Sequence, residues 1–227
     1  MDDDFDALAY HQERLRLLVW GGFFNAADLV MEIKDLEYDP EAKPHLEPLR
    51  SYAEAQLQDK KVAETQWPNV TDWDRLDAVF EKLSAAGILA LHNAGYTTSD
   101  AHGDAWEVIA EGPEDWRGFV YYHGQDVERV LDGHPLFLGF DAVAQDPEAK
   151  RELGAEILDS LRGAGFAVDW EGDPEIRPSI SGLNWRKRTD WGAPENAEPP
   201  AQPFAPTAIK KGGLLSRLTH HFFGKHQ

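Results

Sequence analysis

The sequence predicts an α+β fold in which an N-terminal helical segment packs on a four- to five-stranded sheet, with helices mainly on one face. Up to about residue 66, apolar residues recur at helical spacing. From Thr71 onwards, helical patterns alternate with short apolar runs that are typical of buried strands. A helix, an Ala-Gly stop and an immediate strand also occur twice, at residues 78–91 and 156–169. Together these patterns indicate one sheet built from repeated helix–strand units.

The N-terminal segment, residues 1–66, predicts three helices. The first ends at Gly21-Gly22, because glycine is a poor helix former. The second ends before Pro40 and the third before Pro68, because proline disfavours a helical conformation in the residue that precedes it. This segment is therefore expected to be a helical hairpin or small bundle laid against the rest of the chain.

Residues 67–189 form the second predicted unit, an α/β core domain. Thr71 is suited to cap its first helix, and Asp146-Pro147 opens a later helix in the same way. In chain order, the predicted elements are a helix (72–86), a strand (88–92), a helix (99–110), a strand (118–122), a short helix (125–131), a strand (136–140), a helix from 147 and two strands near 166–170 and 176–184.

The C-terminal residues differ in composition from the core. Residues 190–208 contain five prolines and predict an extended linker. Residues 209–227 form a basic tail, and a short helix is predicted there with one apolar face made by Leu214, Leu215, Leu218 and Phe222. The tail could dock on the acidic body, bind a partner or rest on an anionic membrane surface.

Composition excludes several classes of protein. The chain has no cysteine, and therefore no disulfide, thiolate metal site or cysteine nucleophile. Its net charge of −19 disfavours nucleic-acid binding by the body and suits a basic protein partner. The absence of a long apolar run or a secretory signal predicts no transmembrane segment and a cytoplasmic location.

The first candidate site is the motif His123-Gly124-Gln125-Asp126, which directly follows a predicted strand. His123 is the best candidate for a general base or a ligand. Asp126 either orients that imidazole or begins the following helix. The alternative is structural: Asp126 starts the helix, and His123 forms a hydrogen bond with a neighbouring carbonyl.

The polar turn after the preceding strand supplies the second set of candidates. Asp100 is the third candidate catalytic residue, and with His102 and Asp104 it alternates possible metal ligands. A helix beginning there would separate His102 from the two carboxylates, so no metal site is predicted. The side chains expected to bind a ligand in these two loops are Asn93, Tyr96, Thr97, Ser99 and Gln125.

Three blocks of sequence carry a resemblance. They are WPNVTDWDRLDAVFEKL, GILALHNAGYTTSD and GFVYYHGQDVERV, beginning at Trp67, Gly87 and Gly118. The chain resembles a bacterial family of unknown function with similar blocks, over about residues 5–188. It departs from the family pattern at Ala101, where glycine is expected. The resemblance implies an α+β domain and brings no activity, cofactor or catalytic residue.

Two hypotheses for function follow from these observations. The favoured one is a non-catalytic module that binds a protein partner in an immunity-type or regulatory role, and the acidic charge favours a basic partner. The alternative is a small-molecule or metal-dependent enzyme with its site at Asp100, His123 and Asp126. Whether the protein is an enzyme, and which cofactor it would use, is left open by the sequence. The enzyme hypothesis requires those three side chains to meet in one pocket.

Overall fold

The computed structural model describes residues 6–112 and 115–191, which contain seven α-helices, two short 3₁₀ helices and six strands. The helices are α1 (Ala7–Gly21), α2 (Ala26–Asp35), α3 (Leu46–Glu64), α4 (Asp72–Ala85), α5 (Thr98–Glu111), α6 (Gly124–Leu131) and α7 (Pro147–Gly163), with 3₁₀ turns at Leu36–Tyr38 and Lys43–His45. The strands are β1 (Ile88–Leu91), β2 (Gly118–Tyr121), β3 (Leu136–Phe137), β4 (Gly139–Ala142), β5 (Ala167–Asp169) and β6 (Ser179–Ser181).

The predicted α+β class is confirmed, whereas the predicted single sheet of four to five strands is wrong. The six strands form two three-stranded sheets, with orders β1-β2-β4 and β3-β6-β5. β1 and β2 run parallel, and the other pairings are antiparallel. The apolar run predicted as one strand at residues 136–140 is divided at Leu138, whose N–H donates to the Pro178 carbonyl at 2.9 Å. The chain therefore passes from one sheet to the other within this run.

Side chains alternate across the first sheet, which has helices on both faces. Ile88 and Val120 point into the largest core cluster with α4 and α7. Leu89 and Phe119 point to the opposite face, where they join a cluster that includes Ala101 and other residues of α5. The alternation explains why these strands read as uninterrupted apolar runs in the sequence.

The N-terminal helices form a core cluster of their own and contact the second unit. Leu15, Leu29 and Leu49, from α1, α2 and α3, lie together in this cluster. α1 also packs against α6, and Arg16 forms an ion pair with Asp132 at 3.1 Å. The division at residue 66 stays a prediction, although the two clusters are consistent with it.

Residues 184–191, here called the C-terminal strap, connect the helical segment to the core. The Trp185 indole N–H donates to the Gly21 carbonyl at 3.1 Å. Glu64 accepts hydrogen bonds from the Thr189 backbone N–H at 2.9 Å and the Trp191 indole at 2.7 Å. The predicted linker from residue 192 onwards and the predicted basic tail lie outside the described residues.

Within the described ranges, no helix combines the length and the apolar character needed to cross a membrane.

Candidate functional site

The two candidate loops meet at one edge of the β1-β2-β4 sheet. Because β1 and β2 are parallel, the loops that follow them leave the sheet at the same edge. The backbone N–H groups of Gly124 and Gln125 donate to the carbonyls of Gly95 and Tyr96 at 3.1 and 3.2 Å. These carbonyls pair the N–H groups of the first turn of α6, which would otherwise lack partners.

His123 occupies the N-cap position of α6, and Asp126 lies in its first turn. The Asp126 carboxylate accepts from the His123 backbone N–H at 3.1 Å, and the same oxygen lies 3.1 Å from Nε2 of the imidazole. The two residues are almost completely buried, with 2% and 0% of their surface exposed. Asp126 is thus the third residue of α6, where its carboxylate caps the helix and contacts the imidazole.

Arg177, which the sequence analysis missed, completes this cluster. Its guanidinium donates to the Asp126 carboxylate and, at 2.9 Å, to the Phe137 carbonyl. Its second terminal nitrogen, Nη1, lies 3.3 Å from Nε2 of His123. The only signal in the sequence is an arginine placed directly before Pro178 and the last strand. Nothing in that local pattern indicates a contact with an aspartate of α6.

Burial determines the protonation state of His123. It lowers the pKa of the imidazole to about 4, although the nearby Asp126 carboxylate acts to raise it. The imidazole is therefore neutral at pH 7. Three buried atoms have no hydrogen-bond partner among the described residues: Nδ1 of His123, Oδ1 of Asp126 and Nε of Arg177.

The Asp100 side chain forms the capping box of α5. Its carboxylate accepts from the Thr97 N–H at 3.0 Å and from the Thr97 hydroxyl at 2.9 Å. The group of this loop that reaches His123 is the Thr98 hydroxyl, 3.1 Å from Nε2. The structure thus brings the side chains of His123 and Asp126 into contact. The carboxylate of the third candidate, Asp100, instead caps the N-terminus of its own helix, α5.

The predicted ligand-binding residues have different surroundings. Asn93 has a positive φ of 49° and lines a cleft, and the Tyr96 hydroxyl donates to Glu128 at 3.1 Å. Thr97 is the N-cap of α5, and Ser99 lies exposed in its first turn. Gln125 is half-buried at the start of α6. Asn93 and Tyr96 are therefore the two of this set that lie at or beside an open cavity.

His102 and Asp104, considered in the sequence as metal ligands, both lie within α5. Nε2 of His102 accepts from the Trp106 indole at 3.1 Å and lies 3.6 Å from the Asp141 carboxylate. In the part of the chain that the structure describes, no group of three or more His, Asp or Glu side chains is arranged to hold a metal ion.

The cavity is a cleft between α1 and α6, here called the α1–α6 cleft. Its cavity volume is about 20 Å³, room for about one water molecule, and it opens to solvent. Its walls are mainly apolar, with Asn93 and Glu128 as polar exceptions. The lining residues are Leu17, Leu18, Gly21, Phe23, Phe24, Asn93, Gly124, Val127 and Glu128.

Glu128 is the charged group of the α1–α6 cleft. Burial raises its pKa above the ordinary value, while the Tyr96 hydroxyl and the nearby Arg14 act in the opposite direction. The Arg14 guanidinium also lies 5.7 Å from the centre of the Tyr96 ring. The cleft therefore combines an apolar wall with a carboxylate held by neighbouring polar groups.

A second polar cluster, which the sequence analysis also missed, consists of His92, Tyr122, Asp77 and Trp73. Nδ1 of His92 lies 2.7 Å from the Tyr122 hydroxyl, and Nε2 lies 3.0 Å from the Asp77 carboxylate. The Trp73 indole, which can only donate, donates to the same hydroxyl at 3.2 Å. The Tyr122 hydroxyl can donate to Nδ1, whereas Nε2 lies close to Asp77 without forming a hydrogen bond with it. The contact with Tyr122 fixes the imidazole in place.

The fold and these clusters define an α+β domain with a buried His–Asp–Arg network at a sheet edge and an open apolar cleft beside it. The chain belongs to the family described as Domain of unknown function (DUF6891), whose family model matches residues 4–189. The predicted membership in an uncharacterised family is thereby confirmed. Comparisons with curated proteins and with solved structures found no match.

Proposed function

We propose that this domain is a non-catalytic binding module whose α1–α6 cleft accepts an apolar side chain of a basic protein partner. The observation that carries the proposal is the contrast between two neighbouring sites. The cleft is open and mainly apolar, whereas the imidazole of His123 and the carboxylate of Asp126 are buried, and Arg177 forms an ion pair with the carboxylate. A binding site must be reachable by its partner, and a concave apolar surface is where protein partners place anchoring side chains.

Charge supports a basic partner. The chain carries 41 acidic and 22 basic residues, and the cleft has Glu128 among its lining side chains. An acidic surface raises the local concentration and the association rate of a cationic partner. A cationic residue that flanks the apolar anchor would pair with Glu128, which also favours the ionised form of that carboxylate.

The proposal can be tested without knowing the natural partner, by selecting binders from a random peptide library displayed on phage. The full chain is the target, and the cleft variant Leu17→Glu is the counter-target. Leu17 lines the cleft, and a bound peptide would have to bury the carboxylate of a glutamate at this position, which costs free energy. Val62→Glu is the matched control, because Val62 is an exposed apolar residue on α3.

We expect the selected peptides to carry an apolar residue flanked by Lys or Arg. They should bind the wild type and Val62→Glu alike and bind Leu17→Glu at least about tenfold more weakly, a difference of about 1.4 kcal/mol. Peptides that bind Leu17→Glu equally well, or a selection that yields no such peptides, would contradict the proposal.

The alternative function, an enzyme acting on a small molecule at His123 and Asp126, is favoured by one observation. Nδ1 of His123 and Oδ1 of Asp126 are buried without partners among the described residues, and such atoms often face a bound polar molecule. A water molecule would satisfy them equally well. A ligand that stabilises the wild type against heat but leaves His123→Gln unaffected would favour the enzyme over the binding module.

A further inference from the structure

We propose that the outward side of helix α2 is a docking surface for a basic amphipathic helix of a partner protein. This surface, here called the α2 face, consists of the exposed side chains of Val30, Met31 and Tyr38 and a row of carboxylates beside them. None of these residues lines the α1–α6 cleft. The inference therefore goes beyond the proposed function and does not require the cleft to bind anything.

Helix α2 and the 3₁₀ turn that continues it have apolar residues on two sides. On the inward side, Leu29 and Ile33 are buried in the core cluster of the N-terminal helices. On the outward side, Val30, Met31 and Tyr38 remain 61%, 50% and 82% exposed. A surface helix normally carries polar residues on this side, because apolar surface in contact with water is unfavourable. The apolar outward side therefore indicates a surface that another molecule covers.

The three exposed side chains lie together, unlike other exposed apolar residues of this protein. Met31 and Tyr38 are separated by about two helical turns, and Val30 directly precedes Met31. Val70 and Ile176 are equally exposed, but they lie in separate loops, after α3 and after β5. Single exposed apolar residues of that kind are common on protein surfaces. The α2 face is therefore a patch, and the isolated positions provide controls for it.

A row of carboxylates borders this patch on one side. Asp28, Glu32 and Asp35 follow one another at spacings of four and three residues, so they lie on the same side of α2. Met31 comes three residues after Asp28 and four residues before Asp35, which makes it their neighbour on the helix surface. Apolar and acidic side chains therefore lie next to each other along the helix.

The electrostatics of Glu32 indicate that the acidic row lacks positive charge. Burial raises the pKa of Glu32 to about 7, and Asp35 and Asp28 contribute to the rise, although Arg14 acts to lower it. Oε2 of the same carboxyl is buried without a hydrogen-bond partner among the described residues. A Lys or Arg brought to the edge of this row would stabilise the ionised carboxylates. The α2 face thus combines apolar side chains with acids that favour a cationic neighbour.

These properties define the partner by its chemistry. A helix offers side chains and no free backbone edge, so an extended strand cannot add to α2. A second helix can pack alongside it, with apolar residues against Val30 and Met31 and with Lys or Arg on the flank that meets the acidic row. The acids would repel a nucleic acid or an anionic membrane. They also disfavour a second copy of this chain, because each copy carries a net charge of −19.

Lys34 is the one cation of helix α2, and it lies on the outward side. It follows Met31 by three residues and Val30 by four, so its side chain borders both. The hydrocarbon part of a lysine can cover apolar surface, whereas its ammonium opposes a basic partner. Replacing Lys34 by an uncharged residue should therefore strengthen binding.

The probes are two synthetic helical peptides labelled with fluorescein. Both carry leucine at spacings of three and four residues. The remaining positions are lysine in one peptide, the lysine peptide, and glutamate in the other, the glutamate peptide. Binding to the full chain is measured by fluorescence anisotropy at physiological ionic strength, where attraction between distant charges is screened. Circular dichroism and thermal unfolding check that each variant is folded.

The apolar part of the α2 face is tested by Val30→Gln combined with Met31→Gln. This change removes the patch without altering the net charge, and glutamine is a good helix former. The matched control is Val70→Gln combined with Ile176→Gln, which removes two exposed apolar side chains elsewhere. We expect the lysine peptide to bind the wild type and the control alike, and the test variant at least about tenfold more weakly.

The acidic part is tested by Glu32→Gln combined with Asp35→Asn, which keeps the shape of both side chains. The matched control is Glu107→Gln combined with Glu111→Gln, which removes two exposed charges from α5. We expect the test variant to bind the lysine peptide about two- to fivefold more weakly than the control does. Lys34→Gln should bind it about twofold more tightly than the wild type.

Several results would overturn the inference. Equal weakening in the two apolar variants would mean that the lysine peptide binds through general attraction to an acidic protein. Equal binding of the glutamate peptide would mean that the surface does not select positive charge, and no binding of the lysine peptide would leave the surface without its proposed ligand. Light scattering that finds a dimer in the wild type and a monomer in the variant of Val30 and Met31 would identify a second copy as the occupant.

The proposed function and this inference fail separately. Leu17→Glu alters the α1–α6 cleft and leaves the α2 face intact, so the lysine peptide should bind this variant within about twofold of the wild type. If peptides selected from the library depend on Leu17 and the lysine peptide does not bind, the cleft function stands and the α2 face is wrong. If the lysine peptide depends on Val30 and Met31 and the selection yields nothing that depends on Leu17, the opposite holds.

Discussion

Arg177 donates to the carboxylate of Asp126, which lies fifty-one residues earlier in the sequence and has no exposed surface. The same guanidinium donates to the Phe137 carbonyl, so one side chain joins α6 to β3 and to the segment that precedes β6. The contact also links the two sheets, because α6 begins where the first sheet ends and β6 lies at the centre of the second. One buried carboxylate and one guanidinium thus connect elements of both sheets.

The first prediction concerns this ion pair. We expect Arg177→Met to lower the free energy of unfolding by about 3–5 kcal/mol, because it leaves the Asp126 carboxylate buried without its cation. Denaturant unfolding at pH 7 measures the change. The double variant Asp126→Asn with Arg177→Met should recover part of the loss, since the unpaired charge is then removed.

The matched control is Arg162→Met, which removes an exposed pair with Asp159 three residues away on α7. Exposed pairs contribute at most about 1 kcal/mol. If Arg177→Met and Arg162→Met cost the same, the buried network would have no special role in stability.

The second prediction concerns pH. The folded-state pKa of His123 is about 4, below its ordinary value of 6.5, because the imidazole is buried. A lowered histidine pKa means that the unfolded chain takes up the proton first, so stability falls as pH falls from about 6.5 towards 4. Between pH 7 and pH 5 this residue should cost about 2 kcal/mol.

His123→Gln is the variant that checks the second prediction, because it removes the titrating group and keeps a polar side chain. Its free energy of unfolding should fall by about 2 kcal/mol less than that of the wild type between pH 7 and pH 5. Equal losses in the two proteins would show that the buried imidazole does not govern this window.

The third prediction concerns Lys60, whose side chain is completely buried in α3. Burial lowers its pKa from 10.5 to about 7. Its ammonium donates to the Val19 carbonyl at 2.9 Å and lies 3.8 Å from Glu64. Val19 also accepts from the Gly22 N–H, and Glu64 also accepts from the C-terminal strap, so both acceptors stay paired without the lysine.

We therefore expect the free energy of unfolding of Lys60→Met at pH 7 to equal that of the wild type or to exceed it by up to about 4 kcal/mol.

The pH dependence of stability provides a second measurement. A lowered lysine pKa costs stability as pH falls from 10.5 to 7. The wild type should consequently gain about 2 kcal/mol from this residue between pH 7 and pH 9, and the variant should lack that gain. Lys82→Met, at an exposed position on α4, is the control. A large loss of stability in Lys60→Met at pH 7 would contradict the prediction.

Local patterns predicted the parts of this fold that depend on neighbouring residues. The Thr71 cap and the strands β1 and β2 follow from spacing and composition within a few residues. The division of residues 136–140 between two sheets was missed, because apolar continuity contains no information about which sheet a strand joins.

The same limit applies to the candidate site. Each candidate loop was expected to follow a strand, but the helix–strand units at residues 78–91 and 156–169 contain β1 and β5, which lie in different sheets. The meeting of the two loops depends instead on the parallel pairing of β1 with β2. The contact of Arg177 with Asp126 depends on where the second sheet places one side chain, and no local pattern encodes that. The role of His92 depends in the same way on Asp77 and Tyr122, which reach it from another helix and another strand.

The fourth prediction concerns the close approach of Gly139 to Tyr121, its partner across β2 and β4. A Cβ atom at position 139 would lie 2.2 Å from Cζ of the tyrosine ring, far inside contact distance. The ring is buried, and its hydroxyl donates to the Thr98 carbonyl at 3.3 Å in the loop beside the site. Gly139→Ala must therefore displace the ring or separate the strands, and we expect a loss of about 1–3 kcal/mol in the free energy of unfolding.

The control is Gly163→Ala, where the added methyl meets open space and should cost no stability. Combining Gly139→Ala with Tyr121→Leu should cost less than the sum of the two single changes, because the smaller side chain removes the clash. Additive costs would place the strain elsewhere in the strand pair.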